Sequence, residues 1–263
     1  MITFVKLGGS LITDKQVEAR FRQDVAERTA AEIAAALRED PNLRILLGHG
    51  SGSFGHVAAK KYRTIEGVHT PEEWRGFAEV ATTAAELNYL IAKTLRAAGI
   101  PVWRIQPSAS AIAVNGRIGH MSIASVQHAL EHGLVPLVYG DVAVDTMRGG
   151  TIISTETIFF YLAQHLPVQR ILLLGQVAGV YDLAGVLIPA ITPANITAIE
   201  SALGGSDGTD VTGGMETKVR DMLALTQALP GLTIRIMDGT QPDLLRQTLL
   251  GQVQPGTLIS QAG

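Results

Sequence analysis

The sequence contains no cysteine. That absence removes a disulfide framework, thiolate catalysis and a cysteine-based zinc site together, and it fits the reducing cytosol expected as the protein's location. Long apolar runs are lacking too: nothing approaches the roughly 20 residues of a membrane span. The opening stretch MITFVKLGGS is interrupted too early by Lys6 and two glycines to form a signal peptide. No charge of one sign dominates. The formal net charge is −3, with basic and acidic residues interspersed, so neither nucleic acid nor a membrane is an expected partner and a small molecule is. Internal repeats and linker-like runs are also missing. What is present is a chain of 263 residues, 46% hydrophobic and 17% charged, able to bury one large core or two closely joined lobes.

Short aliphatic or β-branched runs alternate with longer stretches of helical periodicity. The strand-like runs are ITFVKL, LRILLG, PVWRIQ, LVPLVYG, RILLLG and LTIRIMDG. Between them, helices are predicted over Asp24 to Leu37, Pro71 to Ala98, Ile123 to His132, Thr155 to His165 and Gly214 to Ala228. This α/β rhythm, with near-continuous apolar strands, predicts a mainly parallel sheet covered on both faces. Hairpins are expected around Asn115-Gly116 and over Val142 to Ile153. Gly204 to Gly214 is expected to be irregular.

Chemistry concentrates in glycine loops. Lys6-Leu7-Gly8-Gly9-Ser10 follows the first strand, where a parallel α/β sheet opens its ligand crevice. Two glycines let successive amides turn toward an anion, and Lys6 adds a full charge. The stretch fits neither G-x-x-x-x-G-K-[ST] nor G-x-G-x-x-G, so the common nucleotide folds are not supported. A second loop, Gly48-His49-Gly50-Ser51-Gly52-Ser53-Phe54-Gly55-His56, is so poor in side chains that its backbone must approach something closely. A helix capped by Ser53 is predicted at its end, which would aim free amides and the helix dipole at an anion. His56, in that first turn, could hold a phosphate oxygen and counter the charge developing in group transfer. His49 is expected to be a histidine satisfied by capping or by the core. A third stretch, Asp210 to Lys218, places Gly213-Gly214 at a helix start with Lys218 one turn in, another anion site. Lys60 and Lys61 are expected on a solvated helix face. Trp74, Phe77, Leu87 and Leu90 are expected to be core, with an apolar substrate wall as the alternative. Arg63 and His69 are either substrate contacts or plain surface.

Taken in order, Lys6-Leu-Gly-Gly-Ser10, the loop 48 to 56, Gly140-Asp141 and Asp210-Val-Thr-Gly-Gly-Met-x-x-Lys218 resemble the amino acid kinase superfamily. Within it, Lys6-Leu-Gly-Gly-Ser-x-Ile-Thr-Asp-Lys15 and the Ser-Phe-Gly-His ending are most similar to the isopentenyl phosphate kinase branch. The resemblance runs from residue 2 to about 260. It implies a three-layer αβα sandwich with an open, mainly parallel central sheet, and a homodimer. It divides the single domain, 1–263, into an acceptor lobe of about 1–165 and a nucleotide lobe of about 166–263. The implied reaction moves the ATP γ-phosphoryl group to isopentenyl phosphate, giving isopentenyl diphosphate for isoprenoid synthesis by an alternative mevalonate route.

Carried over residue by residue, Gly8, Gly9, Ser10, Ser51, Gln176, Tyr181 and Gly214 would bind ATP. Lys6, Lys15 and Lys218 would hold its β and γ phosphates, and Gly50, Gly55, His56 and Gly140 the acceptor phosphate. Mg²⁺ would be held by the phosphates and water, with no dedicated metal ligand in the protein. Two departures stand out. Where the family has Ser-Gly-Asp-Asp, the chain has Ser154-Thr155-Glu156-Thr157, in which Glu156 supplies a longer supporting carboxylate. Where the family has Thr-Asp-Val-Asp-Gly-Val-Tyr, the chain has Gly175-Gln-Val-Ala-Gly-Val-Tyr181, and both acidic residues are gone. Two alternatives follow: a related phosphonate or phosphate kinase, such as a fosfomycin kinase, or a non-catalytic nucleotide-binding member.

Overall fold

Residues 2–14, 16–203 and 215–261 are described by the structure, a computed structural model. Strand β1 (Ile2–Leu7) passes through Gly8 into the single-turn helix α1 (Gly9–Ile12), followed by α2 (Gln23–Glu39). Strand β2 (Arg44–His49) leads into α3 (Gly52–Tyr62) and the long α4 (Pro71–Ala97). Next come β3 (Val102–Arg104), β4 (Ile112–Val114), β5 (Arg117–His120) and α5 (Ala124–Glu131). Strands β6 (Val135–Tyr139), β7 (Asp141–Asp145) and β8 (Gly149–Ile153) precede α6 (Thr155–Ala163). The remainder holds β9 (Val168–Gly175), β10 (Ala190–Ile191), α7 (Ile196–Leu203), α8 (Met215–Ala228), β11 (Thr233–Asp238), α9 (Leu244–Leu249) and β12 (Thr257–Ser260).

The main sheet has the order β10-β12-β11-β9-β1-β2-β6-β3 and is parallel apart from the β11–β12 pair. Successive residues of a strand point to opposite faces, so the apolar runs feed two cores. Phe4, Leu46, Ile171 and Leu173 enter one core with Val126, Ile158, Phe159 and Val219 from α5, α6 and α8. Their neighbours Val5, Leu7, Ile45, Leu47, Leu172 and Leu174 enter the other with Val25, Ile33, Leu87 and Leu245 from α2, α4 and α9. The result is the expected three-layer αβα sandwich. Phe159, fully buried against Phe4 with ring centroids 5.1 Å apart, is the kind of residue whose truncation to alanine costs about 3–5 kcal/mol.

Both predicted hairpins form, and they share a separate sheet of order β5-β4-β7-β8. Asn115 and Gly116 take positive φ, as an Asn-Gly turn requires. Asp145 then ties the hairpins together by accepting from the amides of Asn115, Gly116, Met147 and Arg148. Helix α4 starts where its sequence says it should. Thr70 and Glu73 form a reciprocal capping box with Pro71 in the first turn. Elements of two to eight residues, β10, α7, α9 and β12, had no predicted counterpart. The stretch expected to be irregular, 204–214, lies outside the described residues.

Candidate active site

The loops after β1 and β2 meet at the carboxyl edge of the sheet. Lys6 pairs with Gly48 and Leu7 with His49 across the two strands, so both loops leave at the same height. They then touch through backbone. A Cβ on Gly50 would lie 2.9 Å from the Gly9 nitrogen, and one on Gly9 would collide with the Gly52 amide. Thr13 stitches the pair: its hydroxyl donates to the Gly9 carbonyl at 2.8 Å and accepts from the Ser53 amide at 3.0 Å. Among the described residues, the amides of Gly9, Ser10, Ser51 and Gly52 have no hydrogen-bond acceptor. The buried Ser53 hydroxyl is also unpartnered. Converging free amides and an orphan hydroxyl at helix starts suit a phosphate.

The predicted cap of α3 is corrected. Gly52, at a left-handed φ of +51, turns the chain into the helix at once, so Ser51 and not Ser53 occupies the cap position. His56 is therefore two residues, about half a turn, farther into the helix than expected; its side chain lies outside the described residues. Gly55 fits against Ser51, where a Cβ would sit 2.8 Å from the serine Cβ.

Gly48 has a different task from the one its loop suggested. A Cβ there would lie 2.6 Å from both Phe159 and Thr155, so its absence lets α6 pack directly onto β2. Ser154 caps α6 by accepting from the Thr157 amide, and the Thr155 hydroxyl donates to the His49 carbonyl at 2.6 Å. The first turn of α6 is thus fixed on β2, and Glu156 Oε1 reaches Lys6 Nζ on the adjacent β1 at 2.5 Å. The side chains of this pair are 15% and 21% exposed, Lys6 first. Burial pushes the Glu156 carboxyl up, but the charge and hydrogen bond of Lys6, its own amide and the charge of Lys218 outweigh that and hold it below the usual range. Lys6, Glu156 and Lys218 therefore form one charged cluster drawn from β1, α6 and α8. A negative group set between two cations keeps them together without cancelling both.

His49 is fully buried, as expected of a core-satisfied histidine. Its ring stacks on Tyr139 with centroids 5.6 Å apart and planes 6° from parallel. Nδ1 lies 3.0 Å from the Gly50 carbonyl and Nε2 3.0 Å from Asn88 Nδ2, while Arg104 Nε donates to Asn88 Oδ1 at 2.7 Å. Burial first, then the charges of Lys6 and Arg104, push the imidazole down to about 4 against the pull of the Gly50 carbonyl, so the ring is neutral.

Other predicted residues fall into place around this centre. Gly140 donates to the His49 carbonyl at 3.2 Å, beside Thr155. Gln176 is exposed at the end of β9, and Tyr181 is 40% exposed on a small hairpin bridged to Leu187. Asp182 accepts from the amides of Ala184 and Val186, which makes it a turn-closing residue. Lys60 and Lys61 are on a solvated face, with Lys61 4.0 Å from Glu79. Arg63 pairs with Glu66, and His69 donates its amide to Glu73. Both line an open cleft of about 460 Å³ at the far end of α3 from the glycine loops. Leu87 and Leu90 belong to the main core, whereas Trp74 stacks edge-on against Phe77, which packs on Val80, Val142 and Ile152. Lys15, Asp210 and Gly214 lie outside the described residues. Sequence reasoning missed Asn88, Arg104 and Thr13; only their polar character inside or beside apolar runs could have marked them.

Comparison with known proteins agrees with this geometry. The chain is 34% identical to an isopentenyl phosphate kinase of Methanocaldococcus jannaschii over 261 residues, covering 97% of each. It is 35% identical to that of Methanothermobacter thermautotrophicus over 266 residues, covering 97% of this chain and 98% of the relative. A solved isopentenyl phosphate kinase structure superposes with a TM-score of 0.83 at 32% identity, covering 99% of this chain and all of that one. The family model described as the amino acid kinase family matches residues 1–238. With two glycine loops held back to back, a lysine–glutamate–lysine cluster over them and this family match across most of its length, the chain belongs to the amino acid kinase family.

Proposed function

We propose that the protein transfers the γ-phosphoryl group of ATP to isopentenyl phosphate, giving isopentenyl diphosphate and ADP. The observation that carries this reading is the Lys6–Glu156–Lys218 cluster above loops whose amides at Gly9, Ser10, Ser51 and Gly52 are unpaired. A phosphate oxygen of the acceptor attacks the γ-phosphorus while the bond to the β–γ bridging oxygen breaks. The acceptor is already anionic near neutral pH, so no general base is needed; positioning and charge neutralisation supply the rate. Gly9, Ser10 and Ser51 present amides to the ATP phosphates, with Lys6, Lys15, Lys218 and Gly214 around the β and γ groups; the expected role of the Gly8 amide is corrected, since it is bonded to the Leu174 carbonyl at 2.8 Å. Gly55 and His56 hold the acceptor phosphate, while Gly50 and Gly140 shape the loop around it, their own amides being bonded to the carbonyls of Leu7 and His49. Gln176 and Tyr181 flank the nucleotide. Glu156 spaces the lysines, and because it is occupied by Lys6, Mg²⁺ is assigned to the ATP phosphates and water, where it neutralises charge.

The apolar tail of the acceptor suits the small cluster of Ala58, Val80, Val142, Phe77 and Ile152, which lies between α3, α4 and the β7–β8 hairpin. On this reading the acceptor lobe is about 1–165 and the nucleotide lobe about 166–263, joined where β9 pairs with β1. A cytosolic homodimer completes the proposal; no helix among the described residues is long and apolar enough to cross a membrane. The test is a steady-state assay with ATP and Mg²⁺ offering isopentenyl phosphate or fosfomycin. A kcat/KM at least tenfold higher on isopentenyl phosphate is expected; equal or higher values on fosfomycin would reverse the assignment. ATP binding with no ADP formation on either acceptor would favour a non-catalytic member.

A further inference from the structure

Arg104, Asn88, His49 and Gly50 form a hydrogen-bond chain with only one possible direction. A guanidinium can only donate, so the Asn88 atom facing Arg104 Nε at 2.7 Å must be its carbonyl oxygen. That turns the Asn88 amide nitrogen toward His49 Nε2, 3.0 Å away, and makes Nε2 an acceptor. A neutral imidazole accepting at Nε2 carries its proton on Nδ1, which faces the Gly50 carbonyl at 3.0 Å. The surface cation therefore selects the tautomer of a fully buried ring, and the ring pins one peptide of the loop.

The pinned peptide is the one that matters for binding. In a planar trans peptide the C=O and N–H point in opposite directions, so fixing the Gly50 carbonyl toward His49 fixes the Ser51 amide away from it. The Gly50 amide is already committed to the Leu7 carbonyl at 3.0 Å, which secures the other side of the residue. Glycine at 50 would otherwise let this peptide rotate freely. The Ser51 amide has no acceptor among the described residues, and a hydrogen bond received by the adjoining carbonyl polarises it as a donor. Stacking on Tyr139 and the bond from Gly140 and Thr155 to the His49 carbonyl stop the ring and its backbone from yielding.

We infer that His49 is a positioning residue for phosphoryl transfer, its Nδ1–H tautomer imposed by Arg104 through Asn88 and used to aim the Ser51 amide at the phosphate in transit. This rests on the phosphotransfer reading above. In that reaction a preorganised donor contributes most when it need not reorient as charge develops.

The test compares His49→Asn, which keeps a donor near the Nδ1 position, with His49→Phe, which keeps the ring on Tyr139 but neither donates nor accepts. Arg104 is exposed, so Arg104→Met removes the head of the chain without a packing defect. Thermal melts identify folded variants, and kcat is read separately from the KM of each substrate. His49→Phe is expected to lower kcat about 10- to 100-fold and to weaken ATP binding by calorimetry, with acceptor KM within about threefold. His49→Asn should recover most of that loss. Arg104→Met should lower kcat several-fold in the parent and have no further effect in the His49→Phe background. Should His49→Phe fail to fold, the Arg104→Met loss and its cancellation by His49→Asn decide the matter. Imidazole ¹⁵N shifts should show the Nδ1–H tautomer. An Nε2–H tautomer, equal losses in His49→Asn and His49→Phe, or an additive Arg104→Met effect would overturn the inference. Tautomer and ATP affinity need no acceptor turnover, so a wild-type protein inert on isopentenyl phosphate would refute the function while leaving these measurements decisive for His49.

Discussion

The loops after β1 and β2 touch each other through bare backbone, whereas the loop after β9, which reaches the same edge of the sheet, opens to solvent. At Gly9, Gly50 and Gly52 an added Cβ meets main chain or Thr13; at Gly175 the only neighbour is the Val177 nitrogen at 3.9 Å. Gln176 and Val177 are exposed. One of the chain's two departures from the family pattern, at Gln176 to Ala178, falls in this open loop; the other, at Ser154 to Thr157, falls in the packed first turn of α6. In the close-packed pair, residue identity is set by the protein's own atoms and leaves almost no freedom. In the open loop few contacts with the protein's own atoms constrain the exposed side chains of Gln176 and Val177.

Substitutions can sharpen or break that contrast. The largest effect is expected from Lys218→Ala, which should reduce kcat by about 10²- to 10³-fold if the cation plays its proposed part at the transferring group, with His56→Ala costing about 10²-fold. Loss of only a few-fold would move the reaction centre away from these loops. Next, Gly52→Ala combines a left-handed φ with a collision against Thr13 and should cost more than about 2 kcal/mol, read as a fall in Tm with little soluble protein. A normal melt would show that the loop pair is looser than it looks. Glu156→Gln should lower kcat roughly tenfold, because Lys6 loses the carboxylate 2.5 Å away, while Glu156→Asp should retain more activity than Glu156→Gln.

A smaller effect is expected on acidification. His49 stays neutral in the folded protein down to about pH 4, while in the unfolded chain it protonates near its ordinary 6.5. The unfolded state thus binds more protons between those values, and stability rises with pH across that window. Denaturant titrations should show the wild type losing on the order of 3 kcal/mol more than His49→Phe between pH 7 and 4. Parallel pH profiles would mean that the ring is not kept neutral. Smallest of all, Gln176→Asp should change the KM for ATP by a few-fold and leave kcat alone. A large kcat effect would collapse the distinction between the two regions.

Much of the fold was legible because its signals are local. The apolar runs mark the sheet, the helical periodicity from Pro71 to Ala98 marks α4, and Asn115-Gly116 marks a hairpin. Both glycine loops, Gly140-Asp141 and the stretch Asp210 to Lys218 were also readable as one ordered set, with Glu156 marked as a departure from the family pattern. What escaped depends on contacts distant in sequence. Nothing near Gly48 says that Phe159 will fill its missing Cβ, and nothing near Asn88 says that it will bridge Arg104 and His49. The short strands β10 and β12 carry too few residues to show a period; β12 adds to the β11 edge and β10 in turn to β12. The helix start was placed two residues late because either serine of Ser51-Gly52-Ser53 can stand at a cap, and the choice between them rests on the left-handed φ of Gly52 in its contact with the β1 loop.

The space left at Gly48 makes catalytic geometry a property of the core. Because α6 rests on β2 through Phe159 and Thr155, the distance between Glu156 and Lys6 is set by the packing at Gly48 and the Thr155–His49 hydrogen bond as well as by the charged pair itself. A selection for tighter or looser packing around Phe159 would therefore yield variants whose altered turnover betrays no change in any polar residue of the site.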